Sequence, residues 1–247
     1  MRDPSQRWVL IIPAAGKGLR YGATGPPKQF LQVAGRSLLT HSVITALSVP
    51  EIISVFIAVP EEAIADTRAL LSSELPRLND GALHLPDVLD ARINLVAGGA
   101  SRQESVACAL RAVPPGEANL VFVHDAVRPL ASAALYSRVG STAAAYGAAV
   151  PCLGLSDTIK EVRDGVVVAT PSRSHFRRVQ TPQAFVPDTL IAAHAKAVER
   201  GIHGTDDSSL VEQFGGTVHC VDGEETNIKV TTPSDLRFVE WIMSTNS

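Results

Sequence analysis

Small residues and two cations are gathered in one short stretch near the start of this chain: Ala14, Ala15, Gly16 and Gly18, then Arg20 and Lys28. Residues without bulky side chains let backbone N–H groups approach an anion closely, and concave loops built this way hold phosphates. Arg20 and Lys28 can then carry charge on outer phosphates, so the stretch reads as a receiver for a nucleoside triphosphate. Two better-known phosphate loops do not fit. A P-loop needs Ser or Thr after its Lys, and Gln29 follows Lys28. The dinucleotide fingerprint needs a third glycine where Tyr21 stands, and Gly22 comes one residue late. Pro26 and Pro27 also prevent a helix from starting directly after the glycines. Taken alone, the glycines fit an ordinary turn after a first strand equally well.

Further along, Asp125 follows an apolar run directly and is trailed by Arg128. A carboxylate there suits sugar hydroxyls or a metal, and it also suits a helix cap. Gly98 and Gly99 are followed by Ser101-Arg102, and the glycine pair with Ser101 and Ser105 suits a base or phosphate approached by backbone, or a simple capped turn. Lys229 interrupts an apolar pattern, Asn227-Ile228-Lys229-Val230, where a snorkelling edge residue is the ordinary explanation. Thr181-Pro182-Gln183 and Thr205-Asp206-Asp207-Ser208 have capping explanations, and adjacent acids are commonly a helix first turn rather than metal ligands. His124 reads as structural rather than as a general base. No nucleophile elbow, zinc pair or kinase set occurs.

These residues need a frame, and the alternation of elements supplies one. Val9–Ile12, Ile52–Val59, Arg92–Ala97, Leu120–Val123 and Ala148–Leu153 read as strands. Between them fall helices capped by Ser37, started by Pro60-Glu61-Glu62, started at about Ser101, and spread over 131–146. That alternation predicts an α/β fold with a mainly parallel, doubly wound sheet, whose ligands lie beyond the carboxyl ends of the strands. The pattern breaks at 158–168, where TIKEVRDGVVV alternates around Asp164-Gly165 and predicts a hairpin. Such a hairpin is marginal in water alone and is expected to leave the sheet and pack on something else. Helices at 187–200 and 205–214, a strand at 217–221 and a helix from Pro233 complete the reading. The stretch 75–91, rich in Pro, Gly, Asn and Asp, reads as a surface excursion.

With 247 residues and 45% hydrophobic content the chain is expected to form one α/β domain with a large core. A net charge of −3 argues against a broad nucleic-acid surface, so any polyanion site must be a local pocket. Cys108, Cys152 and Cys220 form no metal spacing and read as buried small residues in a reducing compartment. Neither a signal peptide nor a spanning apolar run is evident, which predicts a cytoplasmic protein without a membrane partner.

Several motifs resemble one family in the same order. They are Pro13-Ala14-Ala15-Gly16-x-Gly18-x-Arg20, Pro27-Lys28-Gln29, His124-Asp125-Ala126-x-Arg128-Pro129, Asp157-Thr158-x-Lys160, Thr181-Pro182-Gln183 and Asn227-Ile228-Lys229-Val230-Thr231. The family is the 2-C-methyl-D-erythritol 4-phosphate cytidylyltransferases of the non-mevalonate isoprenoid pathway, and the similarity runs over nearly the whole chain. It implies a Rossmann-like fold resembling nucleotide-diphospho-sugar transferases. The implied reaction joins CTP to 2-C-methyl-D-erythritol 4-phosphate, releases pyrophosphate, and uses Mg2+ bound mainly through the CTP phosphates. By the same resemblance Arg20, Lys28, Lys229 and Arg173 are catalytic. Ala14, Ala15, Gly16, Gly18, Gly99, Ser105 and Asp125 bind nucleotide, with Asp125 also bordering the second substrate. Arg128, Thr158, Thr181 and Thr205 bind that substrate. Metal ligands stay unassigned. A β-arm at about 155–175 is expected to exchange between two subunits, making a homodimer whose sites draw on both chains. Tyr21 stands where Met is common and Ala100 where an acid is common; neither removes a needed charge.

The chemistry is consistent with that resemblance. A phosphomonoester is already largely dianionic at pH 7, its second pKa being about 6, so the attack needs no general base. The task is to bring two polyanions together and stabilise charge on the α-phosphate. A cytidylyltransferase for another polyol phosphate, such as D-ribitol 5-phosphate, is the nearest competing reading. A nucleotide-sensing domain without turnover is a further one, although retention of Lys28 and Lys229 argues against it.

Overall fold

The computed structural model describes residues 6–16, 26–75 and 91–245. The first strand, β1 (Trp8–Pro13), leads to a short ribbon of β2 (Gln32–Val33) and β3 (Arg36–Ser37). A helix over Leu38–Ser48 follows, capped by Ser37, whose Oγ accepts from the Thr40 amide. Then come β4 (Ile52–Val59), a helix over Ile64–Glu74, β5 (Ile93–Ala97), a helix over Arg102–Ala112 and β6 (Leu120–Val123). A helix over Ala133–Tyr146 precedes β7 (Ala148–Gly154), which runs out into the paired strands β8 (Glu161–Arg163) and β9 (Val166–Ala169). The chain returns through β10 (Arg177–Val179) and β11 (Gln183–Phe185). Helices over Pro187–Arg200 and Asp207–Gln213, β12 (His219–Asp222) and a final helix over Pro233–Thr245 follow.

The main sheet has the order β10-β7-β11-β6-β1-β4-β5, with β12 also paired to β7. Its centre is parallel: β6, β1, β4 and β5 share one direction. Strand residues alternate between two cores, as burial on both faces requires. Leu10, Ile12, Ile57 and Phe122 face Leu39, Val43, Leu135 and Val139 on one side. Val9, Ile11, Phe56 and Val121 face Val106, Leu110, Leu190 and Leu210 on the other. The doubly wound expectation holds, and most expected boundaries fall within two residues of those observed.

One difference matters to the site. The fifth expected strand, β7, does not lie against β6; the antiparallel β11 sits between them. With only three residues each, β10 and β11 carry too little periodicity to be seen in sequence. The hairpin is present as a two-stranded sheet of its own. Asp164 (φ 49°) and Gly165 (φ 77°) both take the positive φ of a type I′ turn. Cys152 is buried as expected, but Cys220 is exposed, because β12 alternates half-buried and exposed positions at the rim; their sulfurs lie 2.9 Å apart. Among the described residues no helix is long and apolar enough to cross a membrane. The 75–91 excursion falls almost entirely outside the described residues.

Candidate active site

The carboxyl ends of β1, β5 and β6 open onto a cleft of about 400 Å³. Its wall begins with Ala14, Ala15 and Gly16. The Ala14 amide donates to the Ala58 carbonyl at 2.7 Å, which ties the loop to the end of β4. Buried Gln29 donates from Nε2 to the Ala14 carbonyl at 2.5 Å and the Gly16 carbonyl at 3.3 Å. With those carbonyls held, the wall stays shaped as a backbone cradle. Lys28 lines the same cleft, and its Nζ donates to the Thr231 carbonyl at 3.3 Å. Gly18 and Arg20 lie outside the described residues.

Two glycines let the second wall close in. A Cβ on Gly98 would sit 2.6 Å from the Ala15 Cβ, and one on Gly99 would collide with Glu104. The Gly99 amide donates to Ser105 Oγ at 3.2 Å, and Ser105 donates to the Ser101 carbonyl at 2.8 Å. Ser101 caps the helix by accepting from the Glu104 amide, and Glu104 in turn accepts from the Ala100 amide at 2.8 Å. A carboxylate is thus present beside Ala100 even though that position itself carries none.

Asp125 forms the floor. Its Oδ1 accepts from Arg102 Nε at 3.0 Å, and its Oδ2 lies 2.7 Å from Lys229 Nζ and 4.0 Å from Arg128 Nε. Burial opposes the charge on this carboxyl, but Arg102 first, then Lys229 and Arg128, outweigh it and hold Asp125 well below the usual carboxylate range. Arg128 does not line the cleft; it donates from Nη1 to the Asn227 carbonyl at 2.8 Å, and burial lowers its guanidinium from the usual arginine value. Thr181 Oγ1 accepts from the Asp125 amide at 3.0 Å and lies 3.0 Å from His124 Nδ1. The other nitrogen of His124 sits 3.1 Å from the Arg128 carbonyl. Burial pushes this imidazole down to about 4, so at neutral pH it is an uncharged brace beneath the site rather than a proton carrier.

Thus Ala14, Ala15, Gly16, Lys28, Ser105, Asp125 and Lys229 line one cleft, with Gly99 and Thr181 just behind it. Thr158, Arg173 and Thr205 are exposed and do not line it. Thr158 and Arg173 belong to the projecting segment, where Arg173 Nη1 donates to the Ser156 carbonyl. Sequence reasoning did not assign Arg102, Gln29, Thr231 or Asp207 to the site. For Arg102 a signal existed: a cation in a helix's first turn opposes the macrodipole and needs another reason to be there.

Among the described residues the cleft carries one carboxylate, Asp125, with both oxygens already facing cations. Among the described residues no group of three His, Cys, Asp or Glu side chains could hold a metal ion. A second hollow of about 440 Å³, lined by Leu110, Pro187, Ile191 and Val198, is mostly apolar and offers little to a polyanion.

The comparisons agree on one family. The family model for 2-C-methyl-D-erythritol 4-phosphate cytidylyltransferase matches residues 8–245. A protein of that name from Symbiobacterium thermophilum is 42% identical over 235 residues, covering 95% of this chain and 92% of the relative. A bifunctional enzyme IspD/IspF from Nitratidesulfovibrio vulgaris is 42% identical over 236 residues; these are 94% of this chain and 57% of that longer protein. A solved 4-diphosphocytidyl-2C-methyl-D-erythritol synthase from Anaerococcus prevotii superposes with a TM-score of 0.79 at 30% identity, covering 97% of this chain and 99% of the other.

Proposed function

The chain belongs to the 2-C-methyl-D-erythritol 4-phosphate cytidylyltransferase family, and from that premise we propose the following use of its cleft. The enzyme is a nucleotidyltransferase that moves CMP from CTP to 2-C-methyl-D-erythritol 4-phosphate in a cytoplasmic setting. A phosphate oxygen of the alcohol phosphate attacks the α-phosphorus of CTP in line, the bond to the β-phosphate oxygen breaks, and pyrophosphate leaves with its electron pair. The single observation that carries this reading is the cleft itself. Among the described residues it gathers Lys28, Arg102 and Lys229 with one carboxylate paired to cations through both oxygens, and presents no positioned base. That arrangement suits a dianionic nucleophile, which needs charge neutralised rather than a proton removed.

In this reading the Ala14-Ala15-Gly16 backbone cradles the triphosphate, and Gly99, Ser105 and Asp125 take the nucleoside. Lys28, Lys229 and the loop cation Arg20 stabilise charge on the α-phosphate. A divalent cation, when bound, adds Lewis-acid charge to the triphosphate, and a cleft with a single occupied carboxylate fits one carried on the phosphates. Thr181 braces Asp125 from behind the floor, and Arg128 and Thr205, which lie outside the lining of this cleft, are given to the second substrate by the family resemblance alone.

Thr158 and Arg173 belong to a different geometry. They lie on an arm whose Val162, Val166, Val167, Val168 and Phe176 stand open to water. A hairpin with that much uncovered apolar surface calls for a partner, and a second copy of the chain is the one proposed. The arm of each subunit then delivers Thr158 and Arg173 to the other's cleft. Pyrophosphate release, measured with CTP against methylerythritol phosphate and ribitol phosphate and repeated with UTP, ATP and GTP, tests the activity. Turnover with CTP and methylerythritol phosphate is expected; turnover confined to ribitol phosphate, or none, contradicts it.

A further inference from the structure

Behind the cleft floor, polar side-chain contacts continue into the protein in an unbroken line. Lys229 Nζ meets Asp125 Oδ2 at 2.7 Å, and Asp125 Oδ1 accepts from Arg102 Nε at 3.0 Å. Arg102 Nη1 donates to Asp207 Oδ2 at 2.7 Å, and Asp207 Oδ1 lies 3.0 Å from His194 Nε2. The five residues come from five places in the fold, and the line ends in the Pro187–Arg200 helix, away from any reacting group. Asp207 and His194 are buried and do not touch the cleft.

The ordinary explanation for Asp207, a helix-terminal acid, does not account for it. Asp206 already caps that helix by accepting from the Ser209 amide, and its own amide donates in return to Ser209 Oγ. Asp207 instead turns inward, its side chain 1% exposed, and burying a carboxylate is costly unless a cation meets it. Arg102 has the complementary oddity. Ser101 caps its helix, yet a cation occupies the first turn, where the helix dipole disfavours it. Each residue accounts for the other. The guanidinium uses two nitrogens on two carboxylates, so its plane is fixed as a lysine's point charge would not be.

We propose that Arg102, clamped by Asp207, is a positioning residue for the transfer reaction. It commits one oxygen of Asp125, so that the other faces Lys229 and fixes where that ammonium waits beside the cleft. This deepens the cytidylyltransferase reading and rests on it. Without the clamp, Asp125 can rotate and draw Lys229 toward whichever oxygen is free. Chemistry then suffers more than nucleotide binding.

The test is a double-mutant cycle read in kcat and KM separately, on the full chain with CTP and the alcohol phosphate. Asp207→Asn is expected to lower kcat about tenfold, within the coupling seen for residues in direct contact, while KM for CTP changes less than about twofold. Combined with Asp125→Asn, it is expected to add no further loss, because it acts through Asp125. Additive losses, or a rise in KM for CTP with kcat unchanged, overturn the proposal and assign Arg102 to direct nucleotide binding. If Asp207→Asn does not fold, Arg102→Lys replaces it. That variant keeps the charge, loses the two-pronged grip, and should show the same kcat loss and the same non-additivity. Wild-type kcat in Arg102→Lys also overturns the proposal. A wild-type chain inactive with both substrates defeats the underlying reading instead, so the two failures are distinguishable.

Discussion

In the cleft, Asp125 has a side chain 10% exposed and holds Arg102 and Lys229, whereas on the arm Glu161 and Arg163 pair with side chains 48% and 75% exposed. The apolar surfaces are arranged the opposite way. Around the cleft, strands β1 and β6 bury every large residue, while on the arm Val166 is 64% exposed and Phe176 47%. The cleft carboxylate Asp125 is therefore paired within one chain, and the arm is complete in backbone pairing but not in packing. A buried pair broken from one side costs about 3–5 kcal/mol, while an exposed pair contributes about 0–1 kcal/mol. The contrast separates a part that holds charge from a part that waits for cover.

That contrast can be broken or sharpened by experiment. Deleting 158–170 should have the largest effect, giving a monomer by light scattering with no measurable turnover; an active monomer would mean that the cleft is complete without the arm. Next, Lys28→Ala and Lys229→Ala should each lower kcat by ~10²-fold or more, the usual loss for a charge-stabilising group. Near-normal turnover in steady-state assays would remove either residue from that role.

A third effect is on stability. His124 has its folded value lowered from 6.5 to about 4. Between those values the unfolded chain binds a proton that the native chain refuses, so stability falls as pH falls from 6.5 toward 4. Chemical denaturation should show a loss of about 3 kcal/mol over that range relative to His124→Asn, in which this contribution is absent. An identical pH slope in the two proteins would contradict the buried, uncharged imidazole. The smallest effect is expected on the arm: Glu161→Gln should change unfolding free energy by less than about 0.5 kcal/mol. A change above 2 kcal/mol would mean that the arm pair is not the solvated contact described.

Much of this frame was legible in the residues because it rests on local rules. Ser37 and Ser101 marked helix starts, Asp164-Gly165 marked its turn, and the burial of β1 on both faces followed from a short apolar run rich in β-branched residues. What escaped depended on long-range pairing. The strands β10 and β11 form only because β7 and β6 are there to meet them. Arg102 and Asp207 lie 105 positions apart, and nothing near either names its partner. Asp206 and Asp207 look alike in sequence, yet one caps a helix and the other turns into the core. Lys28 was legible from its place after the small-residue loop, Lys229 only through a shared motif pattern, and the fold brings both to one cleft.

The most direct test of a cleft from one subunit served by an arm from another is complementation between two inactive variants. Lys229→Ala leaves the arm intact and Arg173→Ala leaves the cleft intact. If each site uses Lys229 of one chain and Arg173 of the other, co-refolding the two in equal amounts yields mixed dimers in which one of the two sites is wild type. Since random pairing makes half the dimers mixed, turnover should recover to about a quarter of the wild-type value. Recovery to that level is the predicted result, and a mixture as inactive as its two components would contradict the shared site.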